Sequence, residues 1–528
     1  MQKNFSKYAL LLTSLLLVSC NGPQPTIEEI EVEDNINSSL NYQIFVRSFA
    51  DSNGDGIGDL NGIKNKIPYL KKIGVNSIWL TPIHKTSSDH GYDVQDYYSI
   101  AKDLGTLADF DALVAELKAN NMNIILDMVF NHASSVTDYF KQAYEDFAAE
   151  MRGEIKSDSK ANWFNFSLDK KAGYIKYKDY YVESRFNTSS MMDFNLENED
   201  VIKEMGNILQ FWADRGVGGF RFDAVKYFVG EGFNTRALEI CNKLKAFQPD
   251  LYFVGEGWDE SPYDFAKYYN SNFDAFFNFS QCAQTSRKGN LFANTVNGNL
   301  NNLYDTILET QTIVQSSNET YSKNSVVANF LSNHDMDRVA TLTENKTFLK
   351  LVASTTYLLP GTPFIYYGEE IGMKGKRIAT NTDADRRMPM LFEEGVKCNE
   401  LKGTVFKEQI TEDVDTQLAD LNSVLSHYIR VGSLRNKMGK MMKHATYAPL
   451  DRTLTLSNRS LYAYKLTGEG KSYTVLTNLN KNEDITFEIP CEFSNVLGYV
   501  NASDYKINYE LNGKTLLLPK CSTIILED

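Results

Sequence analysis

Four short segments gather side chains that could do chemistry. They are Asp127-Met-Val-Phe-Asn131-His132, Gly219-Phe-Arg221-Phe-Asp223-Ala-Val-Lys226, Gly255-Glu256-Gly-Trp258 and Ser332-Asn333-His334-Asp335. Carboxylates set among hydrogen-bond donors serve as nucleophiles or as general acids and bases. A single one is more often a helix cap or half of an ion pair, but four such clusters are hard to assign to structure alone. The chain holds only 6 His, and two of them, His132 and His334, fall inside the clusters. A fifth segment, Asp51-Ser-Asn53-Gly-Asp55-Gly-Ile57-Gly-Asp59, sets oxygen side chains at alternate positions across a glycine-rich turn. That pattern suits Ca2+, which takes about six to eight hard oxygen ligands. It is not an EF-hand, because Gly62 stands where a bidentate Glu is needed and the residues from Leu60 onward read as a helix.

Short apolar runs must position these segments. The pattern predicts strands over 43–49, 75–80, 123–130, 217–222, 251–254, 273–279, 326–331 and 363–367. Leu60, Ile63, Ile67 and Leu70 recur between them at helical spacing, as do Phe110, Leu113, Val114 and Leu117, with further helices over 237–247 and 348–358. Strands alternating with helices predict an α/β fold, a (β/α)8 TIM barrel, in which functional side chains project from the C-terminal strand ends. A doubly wound open sheet is the alternative, though no glycine-rich phosphate loop follows the first strand. Two stretches depart from the alternation. Residues 131–195, rich in Tyr, Lys, Asp and Ser, are too long for a βα loop and predict an inserted subdomain after strand 3. Residues 439–528 predict a C-terminal all-β domain, with strands over 453–456, 460–466, 473–477, 485–489 and 515–518. The barrel then comprises 40–130 and 196–438.

A formal net charge of −14 argues against nucleic acid as a partner and leaves neutral ligands open. At the N-terminus, Lys3 and Lys7 precede an apolar stretch over 8–18 that is too short to span a bilayer. Leu17-Val18-Ser19-Cys20 then resembles the lipobox of bacterial lipoproteins. Residues 1–20 are therefore expected to be a signal peptide and 21–39 an acidic, polar tether. The expected protein is exported and anchored through lipidated Cys20 to a bacterial membrane, on its periplasmic or cell-surface face. Cys241, Cys282, Cys398, Cys491 and Cys521 show no metal-binding spacing, and Cys491 and Cys521 could pair.

In order and spacing the four segments resemble the signature regions of the α-amylase superfamily, glycoside hydrolase family 13. Met191-Met-Asp193-Phe-Asn195 is similar to the family's fifth region, with Met192 where proline is common. The run from Thr362 to Glu370 is similar to the family's eighth strand. The resemblance implies an inserted subdomain after strand 3, a C-terminal β-sandwich, and retaining hydrolysis with Asp223 as nucleophile, Glu256 as general acid/base and Asp335 as the third carboxylate. Such chemistry holds the nucleophile and acid about 5–5.5 Å apart. Arg221 should keep Asp223 ionised, while burial near Trp258 and the charge of Asp223 should keep Glu256 protonated. Asp127 should orient Arg221. Substrate contacts are implied for Asp89, His90, Tyr92, His132, Arg221, Lys226, Trp258 and His334, with Tyr92 as a stacking platform. Calcium is implied at Asp51, Asn53, Asp55, the Ile57 carbonyl and Asp59. A second possible calcium site is implied at Asn131 and Asp193, although Tyr227 stands where the family carries histidine.

Lys226 and Trp258 resemble the amylase pattern, and Ala224 replaces the valine usual in enzymes that prefer α-1,6 bonds. The resemblance therefore implies endo-hydrolysis of α-1,4 bonds in starch and maltooligosaccharides by a monomer. The 51–59 loop and Arg387-Met-Pro389-Met390 are shared with the oligosaccharide-cleaving branch, so neopullulanase-like or oligo-α-glucosidase cleavage, or transglycosylation, stays open. A surface starch-binding protein without turnover would lack at least one of the three carboxylates, and all three are present.

Overall fold

The computed structural model describes residues 39–154, 156–378, 382–393, 397–450 and 460–528. The signal segment, Cys20, the tether through residue 38 and the strand expected over 453–456 lie outside the described residues. All eight remaining strand runs of the first 400 or so residues form strands: β1 (Asn41–Ile44), β2 (Ser77–Leu80), β3 (Asn123–Met128), β4 (Gly219–Phe222), β5 (Tyr252–Gly255), β6 (Ala275–Phe277), β7 (Val326–Ala328) and β8 (Phe364–Tyr366). They pair in parallel in the order β7-β6-β5-β4-β3-β2-β1-β8. The two ends meet through the Phe330–Phe364 bridge and the bonds Thr362 N to Val327 O (2.9 Å) and Phe364 N to Asn329 O (2.8 Å). The sheet is therefore a closed barrel, and the open doubly wound alternative falls.

Residue parity decides which side chains face the barrel axis, because positions i and i+2 of a strand share a face. Trp79, Ile125, Val254, Ala275, Phe277, Val326 and Ala328 form the inner cluster. Their neighbours Ile78, Leu80, Ile124, Leu126 and Phe253 belong to the larger core beneath the helices. The same parity carries Gln43, Asp127 and Arg221 inward, in register across the sheet: Gln43 pairs with Trp79 and Arg221 with Asp127. Polar side chains thus cap an apolar axis at the C-terminal end of the strands.

Two local expectations change. The first strand ends at Ile44 and Val46–Ser48 forms a 3-10 turn, with Phe49 packed edge-on against Phe392 at 5.1 Å. An apolar run alone cannot distinguish a strand from a buried turn. The helix expected from Leu60 to Leu70 breaks at Lys66 into Leu60–Asn65 and Ile67–Ile73. Pro68 sits in the first turn of the second piece, where its missing N–H costs nothing.

Between β3 and β4 the chain builds the helix Asp138–Met151 and a three-stranded antiparallel sheet of Phe166–Ser167, Tyr180–Glu183 and Tyr174–Tyr177. Phe140 and Tyr144 of the helix pack on Phe166 and Tyr177 of that sheet. Met192–Asp193 then pairs with His132–Ala133 and brings the chain back to the end of β3. After the barrel, a five-stranded and a three-stranded antiparallel sheet enclose Leu461, Leu476, Phe487, Leu516, Ile524 and Leu526 in a β-sandwich. Cys491 and Cys521 are both free thiols, with Cys491 Sγ 3.5 Å from Thr474 Oγ1 and Cys521 Sγ 3.4 Å from Asn480 O, so the suggested pairing does not form.

Candidate active site

At the C-terminal mouth of the barrel a cleft of about 1230 Å³ opens, and Asp223, Glu256 and Asp335 line it. Strand ends carry two of them: β4 ends one residue before Asp223, and β5 one residue before Glu256. Asp223 N donates to Met128 O (3.1 Å) and Glu256 N to Phe222 O (3.0 Å), so each backbone is tied to the neighbouring strand. Immediately after Asp223 the chain turns left-handed at Ala224 (φ 49°, ψ 38°), a conformation that costs a non-glycine residue about 1–2 kcal/mol. The turn aims Ala224 N at Glu256 Oε2, 3.3 Å away, and Val225 N at Glu256 O, 3.1 Å away.

Arg221, wholly buried, ties the carboxylates together. Nη1 donates to Asp127 Oδ1 (2.7 Å) and Asp223 Oδ1 (2.8 Å), while Nη2 pairs with Glu256 Oε1 at 2.7 Å. Asp127 Oδ2 accepts from Trp79 Nε1 (3.2 Å) and Tyr92 Oη (3.0 Å), so it orients the guanidinium and is not presented to the cleft. Asp335 is gripped separately. Arg387 Nη2 donates to its Oδ1 (2.7 Å), and His334 Nε2 lies 3.0 Å from its Oδ2. Gln43 Nε2 sits 2.7 Å from His334 Nδ1. With the amide nitrogen placed there, Nδ1 accepts and the ring proton lies on Nε2, shared between Asp335 and Tyr92 Oη at 2.7 Å.

One guanidinium serving three buried carboxylates cannot offset the loss of water around all of them. Burial pushes Asp127 and Glu256 each up to about 7, with Arg221 opposing in both cases and the charge of Asp223 adding to the rise. Burial also raises Asp223, and Arg221 only moderates the shift. The expected depression of Asp223 therefore does not occur. Asp335 goes the other way: although burial opposes it, His334, Arg387 and Arg221 hold it well below the usual carboxylate range. The site thus contains two carboxyls that hold protons towards neutrality, of which only Glu256 lines the cleft, and one, Asp335, kept ionised.

Asp89, His90, Tyr92, His132, Lys226 and Trp258 all line the cleft. Arg221 and His334 do not. Each is 0% exposed, behind the carboxylates: Arg221 lies within β4, and His334, in the turn that follows β7, is enclosed by Gln43, Tyr92 and Trp79. They are positioning residues rather than substrate contacts. His132 is neutral, pushed down to about 4 by burial, and its Nε2 points at Tyr92 O (3.0 Å). In this arrangement its N–H fixes the Tyr92 backbone instead of pointing into the cleft. Tyr92 lies parallel to His334 with ring centroids 5.4 Å apart. Trp258, with φ 32°, is 41% exposed and stacks on Phe279 at 4.7 Å. Lys226 Nζ holds Asp259 Oδ1 at 2.5 Å. Two groups escaped the sequence reading. Arg387 carried only a family likeness there, and Phe186, which lines the cleft edge-on to His132 at 5.0 Å, has no motif around it.

The 51–59 loop presents only oxygen donors, a set suited to a hard cation. Despite some burial, Asp51 is held below its ordinary value by the amides of Gly54, Gly56 and Asn53. Asn53 Oδ1 and Asp55 Oδ1 each accept the amide two residues ahead. Asp59 accepts from Ser52 N (2.9 Å) and caps the following helix at Gly62 N (2.7 Å). Among the described residues no three His, Cys, Asp or Glu side chains group as metal ligands, so a cation here would need Asn53 and backbone oxygen as well. Asn131 and Asp193 are brought together, Nδ2 to Oδ1 at 3.5 Å. Burial and the charge of Glu183 push Asp193 up to about 7.

Residues 43–444 match the family model described as "Alpha amylase, catalytic domain". The chain is 33% identical to "Alpha-amylase 3" of Dictyoglomus thermophilum over 504 residues, covering 93% of each protein. It is 28% identical to a 4-alpha-glucanotransferase of Thermotoga neapolitana, covering 85% of this chain and 97% of that protein. Among solved structures, Eubacterium rectale Amy13B superposes with a TM-score of 0.84 at 29% identity, over 94% of this chain and 96% of that one.

The raised Glu256 carboxyl has a consequence for stability. Folded, it keeps its proton to about 7, whereas the unfolded chain releases it near the ordinary 4.5. Between those values the native state binds more protons, so this group lowers stability as pH rises. Glu256→Gln, whose amide oxygen can still accept from Arg221, should melt a few degrees above the unmodified chain at pH 8. The gap should close towards pH 4.5. Calorimetric melting temperatures across that range check this, and a constant gap at all pH values would rule it out.

Proposed function

This chain belongs to the α-amylase family, glycoside hydrolase family 13, and from that premise we propose that it hydrolyses α-1,4 bonds within starch and maltooligosaccharides with retention of configuration. The observation that carries this reading is the cleft's reach. It is lined from Arg47 and Lys402, beyond β1 and β8, to Phe186 and Trp258, in the insertion and beyond β5, so that both sides of the triad can hold sugar.

Arg221 occupies Asp223 Oδ1 and leaves Oδ2 to attack C1. As that bond forms, the glycosidic C1–O bond breaks, and the Glu256 proton passes to the departing oxygen, leaving a glycosyl ester on Asp223. Water then attacks C1, its proton goes to Glu256, and the ester bond breaks. Asp335, held ionised, accepts hydroxyl hydrogens of the sugar more strongly as the ring flattens. Lys226, fixed by Asp259, faces the leaving group. Similarity to a 4-alpha-glucanotransferase supports a second reading in which a sugar hydroxyl replaces water in the second step.

We further propose that Ca2+ binds the loop of Asp51, Asn53, Asp55, the Ile57 carbonyl and Asp59, supported by its all-oxygen donor set, with Asn131 and Asp193 as a second position. Bound there, the ion would supply fixed positive charge and take no part in bond breaking. The lipobox-like ending at Cys20 supports export and lipid anchoring.

Soluble starch should release reducing sugar, falling as pH rises through about 7 where Glu256 loses its proton. Asp223→Asn should retain less than about one thousandth of that activity. Chromatography on amylose should show mixed oligomers early. Glucose alone would exclude endo action, and preferential cleavage of isomaltose or pullulan would exclude the α-1,4 preference. Adding Ca2+ to chelator-treated protein should raise its melting temperature, an effect that Asp51→Asn with Asp55→Asn removes; an unchanged melting curve would refute binding at this loop. Cys20→Ala should shift the protein from the membrane to the soluble fraction and abolish labelling by fatty acid, and unaltered fractionation would refute the anchor.

A further inference from the structure

Tyr263, near the start of the helix Pro262–Tyr268, is 74% exposed, more than any other large hydrophobic side chain among the described residues. One exposed aromatic needs no explanation by itself, but this one borders a groove of about 600 Å³ against the helix Leu300–Tyr321. Tyr263 and Ala266 form one bank, and Asp305, Leu308, Glu309 and Thr312 the other. The last four recur at helical spacing, so they share a face. Lys267, paired with Asp264 at 2.7 Å, covers one side of the Tyr263 ring with its ammonium 4.5 Å from the centroid. The exposure then falls on the other side.

An aromatic face flanked by carboxylates and a hydroxyl suits a sugar ring, whose C–H face stacks while its hydroxyls donate to the acids. A second copy of a chain of net charge −14 would bring like charge to Asp305 and Glu309, which disfavours it as the occupant. The helix that carries Tyr263 is also tied to the wall of the cleft. Tyr268 of the same helix donates to Gly257 O and Asp259 Oδ2, each at 2.5 Å, and Asp259 holds Lys226 inside the cleft. Trp258, the residue between Gly257 and Asp259, is half-exposed and lines the cleft. We propose that the Tyr263 groove is an accessory docking site for an α-glucan chain running on from the leaving-group end of the cleft. This rests on the α-glucan reading of the cleft itself.

The test is native electrophoresis of the full chain through gels containing amylopectin, with Asp223→Asn as background so that the polymer survives the run. Tyr263→Ala should weaken retardation roughly three- to tenfold, and Tyr263→Phe should restore it. Outside that background, Tyr263→Ala should leave kcat/KM on a short maltotrioside within about twofold, since nothing in the catalytic network touches it. Equal retardation of Tyr263→Ala and the unmodified side chain overturns the groove while leaving the active site intact. So does a concentration-dependent dimer in sedimentation that only Tyr263→Ala abolishes, because the occupant is then a second copy. If the unmodified chain neither cleaves nor is retarded by α-glucan, both the function and the groove fall.

Discussion

The site depends on a single buried guanidinium. Arg221 lies inside the barrel mouth and contacts Asp127, Asp223 and Glu256 at 2.7–2.8 Å. Only arginine can do this, because its planar fork presents several donors at fixed angles and stays charged when buried. Removing one partner from such a network would leave charge uncompensated in a low-dielectric setting, which is why the arrangement must be complete. Its partners are braced in turn: Asp127 uses its second oxygen on Trp79 and Tyr92, and Tyr92 is held by His334, while Arg221 Nε alone of the guanidinium nitrogens finds no hydrogen-bond partner among the described residues. The network also explains the burial of Arg221 and His334, both of which a list of substrate contacts would misplace.

One cation shared among three acids leaves an excess of buried negative charge, and that excess separates the protonation states. Glu256 can hold a proton near neutrality because it is buried, and Arg221, divided among several partners, only partly opposes that effect. Asp335 cannot, because His334 and Arg387 serve it on the other side of the cleft. Two carboxylates of ordinary intrinsic acidity are thus driven apart by their surroundings, which is the requirement for an acid and an anion working on the same bond. The left-handed turn at Ala224 contributes geometrically, turning a backbone N–H towards Glu256 at the cost of local strain.

The insertion and the loop after β8 complete the cleft from outside the barrel. Phe186 arrives on the insertion, and the amide of its neighbour Arg185 donates to Asp193 at 2.9 Å. Arg386 and Arg387 follow β8 and fasten both the backbone and the carboxylate of Asp335. Phe186, Arg185, Arg386 and Arg387 belong to no strand, so their placement depends on how two long connections pack. The same holds for Trp258, which keeps its exposed position by stacking on Phe279 from the neighbouring strand end.

The sequence alone determined the eight strand runs, their alternation with helices and the carboxylates at their ends, because period and position in a barrel are local properties of the chain. It also marked the insertion and the β-rich C-terminal region through a change of pattern. Its errors of secondary structure were local ones of the same origin: an apolar run read as strand where a 3-10 turn forms, and a helix read through the interruption at Lys66. Tertiary structure alone decided who touches whom. The division of Arg221 among three acids, the clamp of Arg387 on Asp335 and the turning of His132 towards Tyr92 O each join residues from distant segments. So does the net effect of burial on Asp223, which a neighbouring arginine on the same strand would have been expected to reverse. Desolvation and hydrogen-bond sharing are set by the whole enclosure, and no window of sequence contains it.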